Sequence, residues 1–264
     1  MHPKLFQAKA FLNHLRHSKT RWGHGVHSPF VFNLIEQVFN SSGHYYCFDD
    51  IEAIRSKLLI DHQTINVDDL GAGSQSKAGH QRKISQIAKS ALLPTEHAQL
   101  VFKLCNYFKA DTIVELGTSL GITTAYMASA RRKAQVFTIE GSAEILKVAE
   151  NNFKLLELDN IVMLNGNFNQ RLPELLNGLN QIDIAFIDGN HQLEPTLNYF
   201  DLLLTKVHND SLLIFDDIYW SEGMQKAWKR IIAHPKVTVS IDIYRMGLVF
   251  FRQESSREDF IVRF

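Results

Sequence analysis

The sequence has almost nothing with which to cross-link itself. Two cysteines in 264 residues, Cys47 and Cys105, cannot build a disulfide framework, and their scarcity fits a reducing, cytoplasmic setting. Runs of about 18 apolar residues are also missing, and the opening MHPKLFQAKAF lacks a long apolar core and a small-residue cleavage site. The expectation is therefore a chain that neither crosses a membrane nor is exported. Net charge is absent as well: 28 Lys and Arg balance 28 Asp and Glu, so there is no global attraction to a phosphate backbone, and nucleic acid is not an expected partner. Internal repeats and low-complexity tracts do not occur. With 45% hydrophobic residues and only 14 Gly and 6 Pro, the chain can bury a core and is not a disordered one.

The neutral total conceals an uneven distribution. Lys4, Lys9, Arg16, Lys19 and Arg21 precede the first acid, Glu36, so the first 35 residues carry +5 and the remainder −5. Five of the twelve histidines, His2, His14, His17, His24 and His27, lie in the same stretch. Helical spacing of Leu5, Ala8, Phe11, Leu12 and Leu15 predicts an amphipathic helix with that stripe inward and the basic residues in solvent. The alternative is a surface that meets an anion or a partner. Ser28 before Pro29 marks a further helix start, opening FVFNLIEQVF. To about Leu93 the text reads as helices broken by loops, an N-terminal helical cap over residues 1–92.

After Pro94 the rhythm changes to alternating apolar strands and helices, so that residues 93–264 form the second domain. Strand-like runs are Thr112 to Leu116, QVFTIE, NIVMLNG, IDIAFID, SLLIFDD, KVTVSIDIY and GLVFFRQ. Strands joined through helices pair in parallel, whereas the last two, separated by only Arg245 and Met246, require an antiparallel hairpin. The expected fold is α/β: a Rossmann-like, doubly wound sheet of seven strands with the last one antiparallel. In such sheets ligands gather at the carboxyl ends of the strands.

Those ends carry the candidate residues. The first strand runs into VELGTSLGITT, with Glu115, Gly117, Thr118, Gly121 and Thr123. Glycines there admit close backbone approach, and the following helix points its positive end at an anion. The spacing departs from the dinucleotide pattern GxGxxG, and Glu115 would repel pyrophosphate but could accept from an ammonium group. A ligand carrying both ammonium and carboxylate fits better. Glu140, at the end of the second strand in TIEGS beside Gly141, can bind two ribose hydroxyls, and Asn167 and Phe168 after the third could contact a base. The segment VDDLGAGS, Asp68 to Ser74, has a similar look but lacks the strand–helix–strand context, and reads as a turn or, alternatively, a substrate-side lid.

The fourth strand ends in Asp188 and the fifth in Asp216 and Asp217. Three neighbouring carboxylates raise one another's pKa, coordinate a hard cation such as Mg2+, or find hydrogen-bond donors. His191, three residues after Asp188, is placed either to take a proton from a hydroxyl or simply to pack in its loop. Tyr219 and Trp220 could wall an apolar acceptor.

From Leu93 to Gln253 the chain resembles the class I S-adenosylmethionine-dependent methyltransferases, particularly the catechol and caffeoyl-coenzyme A O-methyltransferases and related sugar O-methyltransferases. VELGTSLGITT looks like their cofactor loop, TIEGS like their ribose-binding strand end and NGNF like their adenine strand. Asp188 with Asp216, 28 residues later, looks like their metal pair. The resemblance implies S-adenosylmethionine as cofactor, Mg2+ at Asp188, Asp216 and Asp217, and His191 with Asp188 as the catalytic pair. Asp217 stands where the catechol enzymes have asparagine, and His191 where they have lysine. A small-molecule acceptor and a cytoplasmic enzyme, with dimerisation open to the cap, are what this implies. The alternatives are an RNA or protein methyltransferase docking through the basic cap, and a cofactor-binding protein without turnover.

Overall fold

The computed structural model describes residues 3–19, 25–67 and 80–264. The first helices are α1 (Pro3–His17), α2 (Pro29–Leu34), which continues as a π-helical turn over Ile35–Phe39, and α3 (Cys47–Ile60). A short hairpin, β1 (Thr64–Val67) and β2 (His80–Lys83), leads to α4 (Ile84–Ala91) and α5 (Thr95–Tyr107). Alternation then sets in: β3 (Thr112–Leu116), α6 (Ile122–Ala130), β4 (Gln135–Glu140), α7 (Ala143–Leu155), β5 (Ile161–Asn165) and α8 (Phe168–Gly178). It continues with β6 (Ile182–Ile187), α9 (Leu193–Leu203), β7 (Val207–Phe215), α10 (Glu222–Ala233), β8 (Val239–Asp242), β9 (Gly247–Phe250) and β10 (Glu258–Ile261).

Two compact units result, one of Gly43–Gly178 and one of Met1–Ser42 with Leu179–Phe264. In the first, β3-β4-β5 pair in parallel, with Glu115 opposite Thr138 and Glu140 opposite Asn165. The hairpin β1–β2 is antiparallel and lies outside this sheet. In the second unit the order is β10-β8-β9-β7-β6. Strands β6 and β7 are parallel, while β9 runs antiparallel to both β7 and β8. The eight strands make a mixed, mostly parallel, Rossmann-like sheet, and the seven expected strands are all among them. The eighth, β10, pairs in parallel with β8. It was not expected, because EDFI is too short and polar to read as a strand. The β1–β2 hairpin likewise adds two strands to residues 1–92, read as helices broken by loops, since HQRK carries no strand pattern of its own.

Strand β3 and the second half of β7 read as near-continuous Val, Ile, Leu and Phe, as strands buried on both faces of a parallel sheet do; the last five residues of β7 and all of β8 and β9 are buried. Ser28 does precede α2, with Pro29 in its first turn. Helix α1 forms as expected but turns the other way. Leu5 and Leu12 are 62% and 66% exposed, and the buried face is Phe6, Ala10 and His14, an i, i+4, i+8 row. Polar anchors decide this orientation. His14 Nε2 lies 3.3 Å from the Asp242 carbonyl and 3.4 Å from its carboxylate, and Gln7 Nε2 donates to the Trp220 carbonyl at 3.0 Å. Burying His14 against an acid outweighs burying one more leucine, which a surface helix can leave in water at modest cost.

The β8–β9 hairpin is held by Trp228 of α10, whose ring lies directly over Gly247. A β-carbon at Gly247 would come 2.5 Å from that ring. Replacement Gly247→Ala is expected to cost about 1–3 kcal/mol by overpacking, read as a lowered urea midpoint with an unchanged m-value.

Candidate active site

In the Gly43–Gly178 unit, the loop from β3 to α6 is built around a buried acid. Glu115 is 0% exposed, and its Oε2 accepts from the hydroxyls of Thr124 and Thr138, each at 2.5 Å. Thr138 spends its single proton on Glu115, so the Thr118 hydroxyl, 2.5 Å from it, is the donor in that contact. A relay Thr118 to Thr138 to Glu115, closed by Thr124, ties the loop, β4 and the first turn of α6 together. One oxygen of Glu115 is thereby held inside the protein by two hydroxyls, and the expected contact with a ligand's ammonium group would fall to its other oxygen, Oε1.

The glycines also differ from expectation. The Gly117 and Thr118 N–H groups donate to the Ile139 carbonyl, which fixes the loop to β4. Gly121 has φ 82°, and a β-carbon there would lie 2.6 Å from the Phe153 ring of α7. Its demand for glycine comes from helix packing, and α6 thereby starts close against α7. The first-turn N–H groups of α6, Thr123 among them, are not consumed by the helix and form the positive end of the loop. Thr123 is half-buried at this end.

Glu140 caps the same loop from β4. Its Oε2 accepts from Ser119 N and its Oε1 from Ser142 N, both at 3.0 Å. A carboxylate oxygen can accept more than one hydrogen bond, so the pose is compatible with serving hydroxyls. Gly141 is half-buried beside it, and its carbonyl accepts from Asn165 Nδ2 at 3.3 Å. Asn167 acts as an N-terminal cap: its Oδ1 accepts from Asn169 N at 2.8 Å and its carbonyl from Arg171 N at 2.9 Å. Phe168 opens α8 and is half-buried.

In the other unit, the carboxyl ends of β6 and β7 gather Asp188, His191, Asp216 and Asp217. His191 Nε2 lies 3.4 Å from Asp188 Oδ1. Burial pulls the imidazole toward neutrality, but the hydrogen bond and charge of Asp188, helped by Asp217 and Asp216, outweigh it and hold the pKa above the ordinary histidine value. Asp216 is 1% exposed, and burial followed by the charges of Asp188 and Asp217 pushes its carboxyl well above the usual range. Asp217 is raised by burial too, opposed by Arg245 and His191. It sits at φ 52°, a left-handed conformation uncommon for a residue with a β-carbon, and His191 also has positive φ.

The residue that sequence reasoning missed is Arg245. Its Nη2 lies 3.1 Å from Asp216 Oδ2 and 3.6 Å from Asp217 Oδ1. The signal was the strand pairing: Phe215 faces Gly247 across β7 and β9, so continuing the register by two sets Arg245 opposite Asp217. The Ile218 N–H donates to the Arg245 carbonyl at 3.3 Å, in keeping with that register. With Arg245 present the cluster does not fit a bound Mg2+. One oxygen of each of two carboxylates is turned toward the guanidinium, and among the described residues no group of three or more His, Cys, Asp or Glu side chains is arranged to hold a metal ion. The acceptor-wall candidates also have partners. Tyr219 donates to Asp242 Oδ2 at 2.6 Å and stacks on Tyr244, whereas Trp220 is half-exposed with its ring 6.3 Å from that of His191. The Asp68–Ser74 segment lies outside the described residues.

Residues 114–218 match the model of a methyltransferase domain. The chain resembles the class I S-adenosylmethionine-dependent methyltransferases. A methyltransferase from Podospora anserina, solved with S-adenosylhomocysteine bound, shares this fold at 13% identity, with a TM-score of 0.61 over 83% of this chain and 93% of that one. A catechol O-methyltransferase from Niastella koreensis is 31% identical over 123 residues, 46% of this chain and 53% of that protein. A protein-L-isoaspartate O-methyltransferase from Hahella chejuensis is 35% identical over 83 residues, 31% and 35% of the two lengths. The methyltransferase-domain match thus takes in the β3–α6 loop, Glu140 and the Asp188–Asp217 cluster together.

Because the threonine relay shapes the loop, Thr138→Val, which keeps volume but deletes the hydroxyl, is expected to lower stability by about 1–3 kcal/mol. Chemical denaturation should show this loss. The replacement Thr138→Ser, which retains the hydroxyl, should keep most of the stability that the valine variant loses.

Proposed function

We propose that the chain is a methyltransferase that moves a methyl group from S-adenosylmethionine to a hydroxyl oxygen of a small molecule. The observation that carries the oxygen reading is the His191–Asp188 pair, an imidazole and a carboxylate 3.4 Å apart at the end of β6. It lies inside the segment that matches a methyltransferase domain.

On this reading S-adenosylmethionine, when bound, supplies an electrophilic methyl group on a sulfonium. The first turn of α6 around Thr123 offers N–H donors to its carboxylate, and Glu140 offers acceptors to its ribose. Gly141, Asn167 and Phe168 contribute to the nucleoside side, while Gly117, Thr118 and Gly121 set the loop's shape. Glu115 acts through Thr118 and Thr124. His191 takes the proton of the acceptor hydroxyl, and Asp188 orients the ring and stabilises the imidazolium that results. Displacement at a methyl group needs little more than alignment and a freed nucleophile. Mg2+ is not carried into this reading, because the geometry around Arg245 does not fit it.

Helix α1 belongs to the acceptor side in this proposal, because Gln7 donates to the Trp220 carbonyl and accepts from Tyr244. This supports a cap that walls the acceptor. His14, turned inward on Asp242, is not part of a basic docking face, which weighs against the nucleic-acid alternative. Among the described residues no helix is long and apolar enough to cross a membrane.

Isothermal titration should show S-adenosylmethionine binding that weakens at least about tenfold, or 1.4 kcal/mol, in Glu140→Gln. Absence of binding to the folded wild type would overturn the cofactor reading. The pH dependence tests the base. Because Asp188, Asp217 and Asp216 hold the His191 pKa above 6.5, its neutral, proton-accepting form appears only above that value, and kcat/KM should rise along a limb centred there. Asp188→Asn removes the strongest raising partner, so the limb should move to lower pH while the maximum rate falls. A limb that stays in place excludes His191 as the base. For stability the sign is reversed: the His191 contribution is complete below pH 6.5 and is lost as pH rises through the higher folded value.

A further inference from the structure

We propose that Arg245 is a built-in cation that closes the acidic cluster at the ends of β6 and β7 to divalent metals. Three carboxylates converge there, and two of them, Asp216 and Asp217, turn one oxygen each toward the guanidinium at 3.1 and 3.6 Å. A hard divalent ion would need such oxygens at about 2.0–2.6 Å, and would stand beside a fixed positive charge while using them. The guanidinium cannot withdraw by losing its proton, since arginine stays protonated in proteins and these acids raise its pKa further.

Nor can it swing away easily, because the turn that carries it is pinned. The Arg245 N–H donates to the Ile243 carbonyl and its own carbonyl accepts from Ile218, so both sides of the residue are held. Tyr244, at φ 70°, donates its N–H to Asp242 Oδ1 at 2.8 Å and stacks on Tyr219 with ring centroids 5.4 Å apart. The left-handed turn at Asp217 presents that carboxylate to the same guanidinium. Asp216, nine-tenths and more buried, keeps one oxygen, Oδ1, without a hydrogen-bond partner among the described residues. The other oxygen is committed to Arg245. The positive charge beside Asp216 and Asp217 is thus supplied by the chain, and Asp188 is left to its histidine. If the methyltransferase reading holds, transfer proceeds without a metal; the closing of the cluster to metals does not itself depend on that reading.

The test is Mn2+ binding to the full chain, counted by the electron paramagnetic resonance signal of the free ion and by isothermal titration. S-adenosylmethionine affinity is measured on each variant to show an intact fold. Wild type should show no saturable Mn2+ binding up to about 1 mM. Arg245→Ala and, as a variant that keeps length and polarity, Arg245→Gln should each gain one Mn2+ site at least tenfold tighter than wild type. Adding Asp216→Asn to either should remove it. Stoichiometric micromolar Mn2+ binding by wild type, lost in Asp216→Asn, would overturn the proposal, and that arm needs no arginine variant to fold. So would a folded Arg245→Gln protein that gains no site. Wild-type turnover should be the same with and without EDTA; inhibition that Mn2+ reverses would overturn the proposal, whereas a wild type that binds neither S-adenosylmethionine nor metal sinks only the methyltransferase reading.

Discussion

A carboxylate taken almost wholly out of water must be compensated, and in this protein that requirement fixes the ends of the strands. Asp216 is the sharpest case. Unaccompanied, an ionised carboxyl with 1% exposure beside two more acids would be neutralised by its own surroundings. The chain opposes this in part with Arg245, delivered by a hairpin whose register is set at the pairing of Gly247 with Phe215, while burial and the two neighbouring acids still hold the Asp216 carboxyl above its ordinary range. That pairing in turn needs Gly247, because Trp228 fills the space a side chain would take. Sheet register, helix packing and site electrostatics are therefore a single dependency.

Glu115 meets the same physical problem with a different solution. No cation reaches it among its described hydrogen-bond partners; two threonine hydroxyls do, and a third stands behind one of them. Hydroxyl donors hold a carboxylate in place without adding net charge, and these three sit on the loop, on β4 and on α6. The acid thereby becomes a fastener for the loop. Glu140, by contrast, is met by backbone N–H groups from the two turns it joins and stays half-buried, the state in which a carboxylate can still serve a polar ligand.

These differences mark where the sequence was informative. All seven expected strands were legible because Val, Ile and Phe runs of the right length, bounded by turns, have few other uses in a chain with this rhythm. The ends of those strands were legible with them, so Glu140, Asp188, Asp216 and Asp217 could be named from position alone. What each acid touches was not legible, because its partner comes from pairing at a distance: Thr138 reaches Glu115 across a strand, and Arg245 reaches Asp216 across a hairpin. Polar strands such as EDFI and HQRK carry no pattern and borrow their form from neighbours. Helix α1 was recognised but turned wrongly, since the apolar stripe counted Leu5 and Leu12 and gave His14 no weight.

The orientation of α1 bears directly on the site. Tyr244 joins the two: its hydroxyl donates to the Gln7 carbonyl at 3.0 Å, its ring meets Phe11 edge-on at 5.0 Å, and the next residue is Arg245. Asp242 lies at the centre of the same arrangement, meeting His14, the Tyr219 hydroxyl and the Tyr244 N–H with its two carboxylate oxygens. A displacement of α1 would remove one support from Asp242 and another from Tyr244, and the backbone next to the guanidinium would lose its fixed turn. The N-terminal helix is thus coupled to the acidic cluster through two residues of one hairpin, and a polar, inward-facing His14 is what this coupling requires, where an additional leucine would give burial without direction.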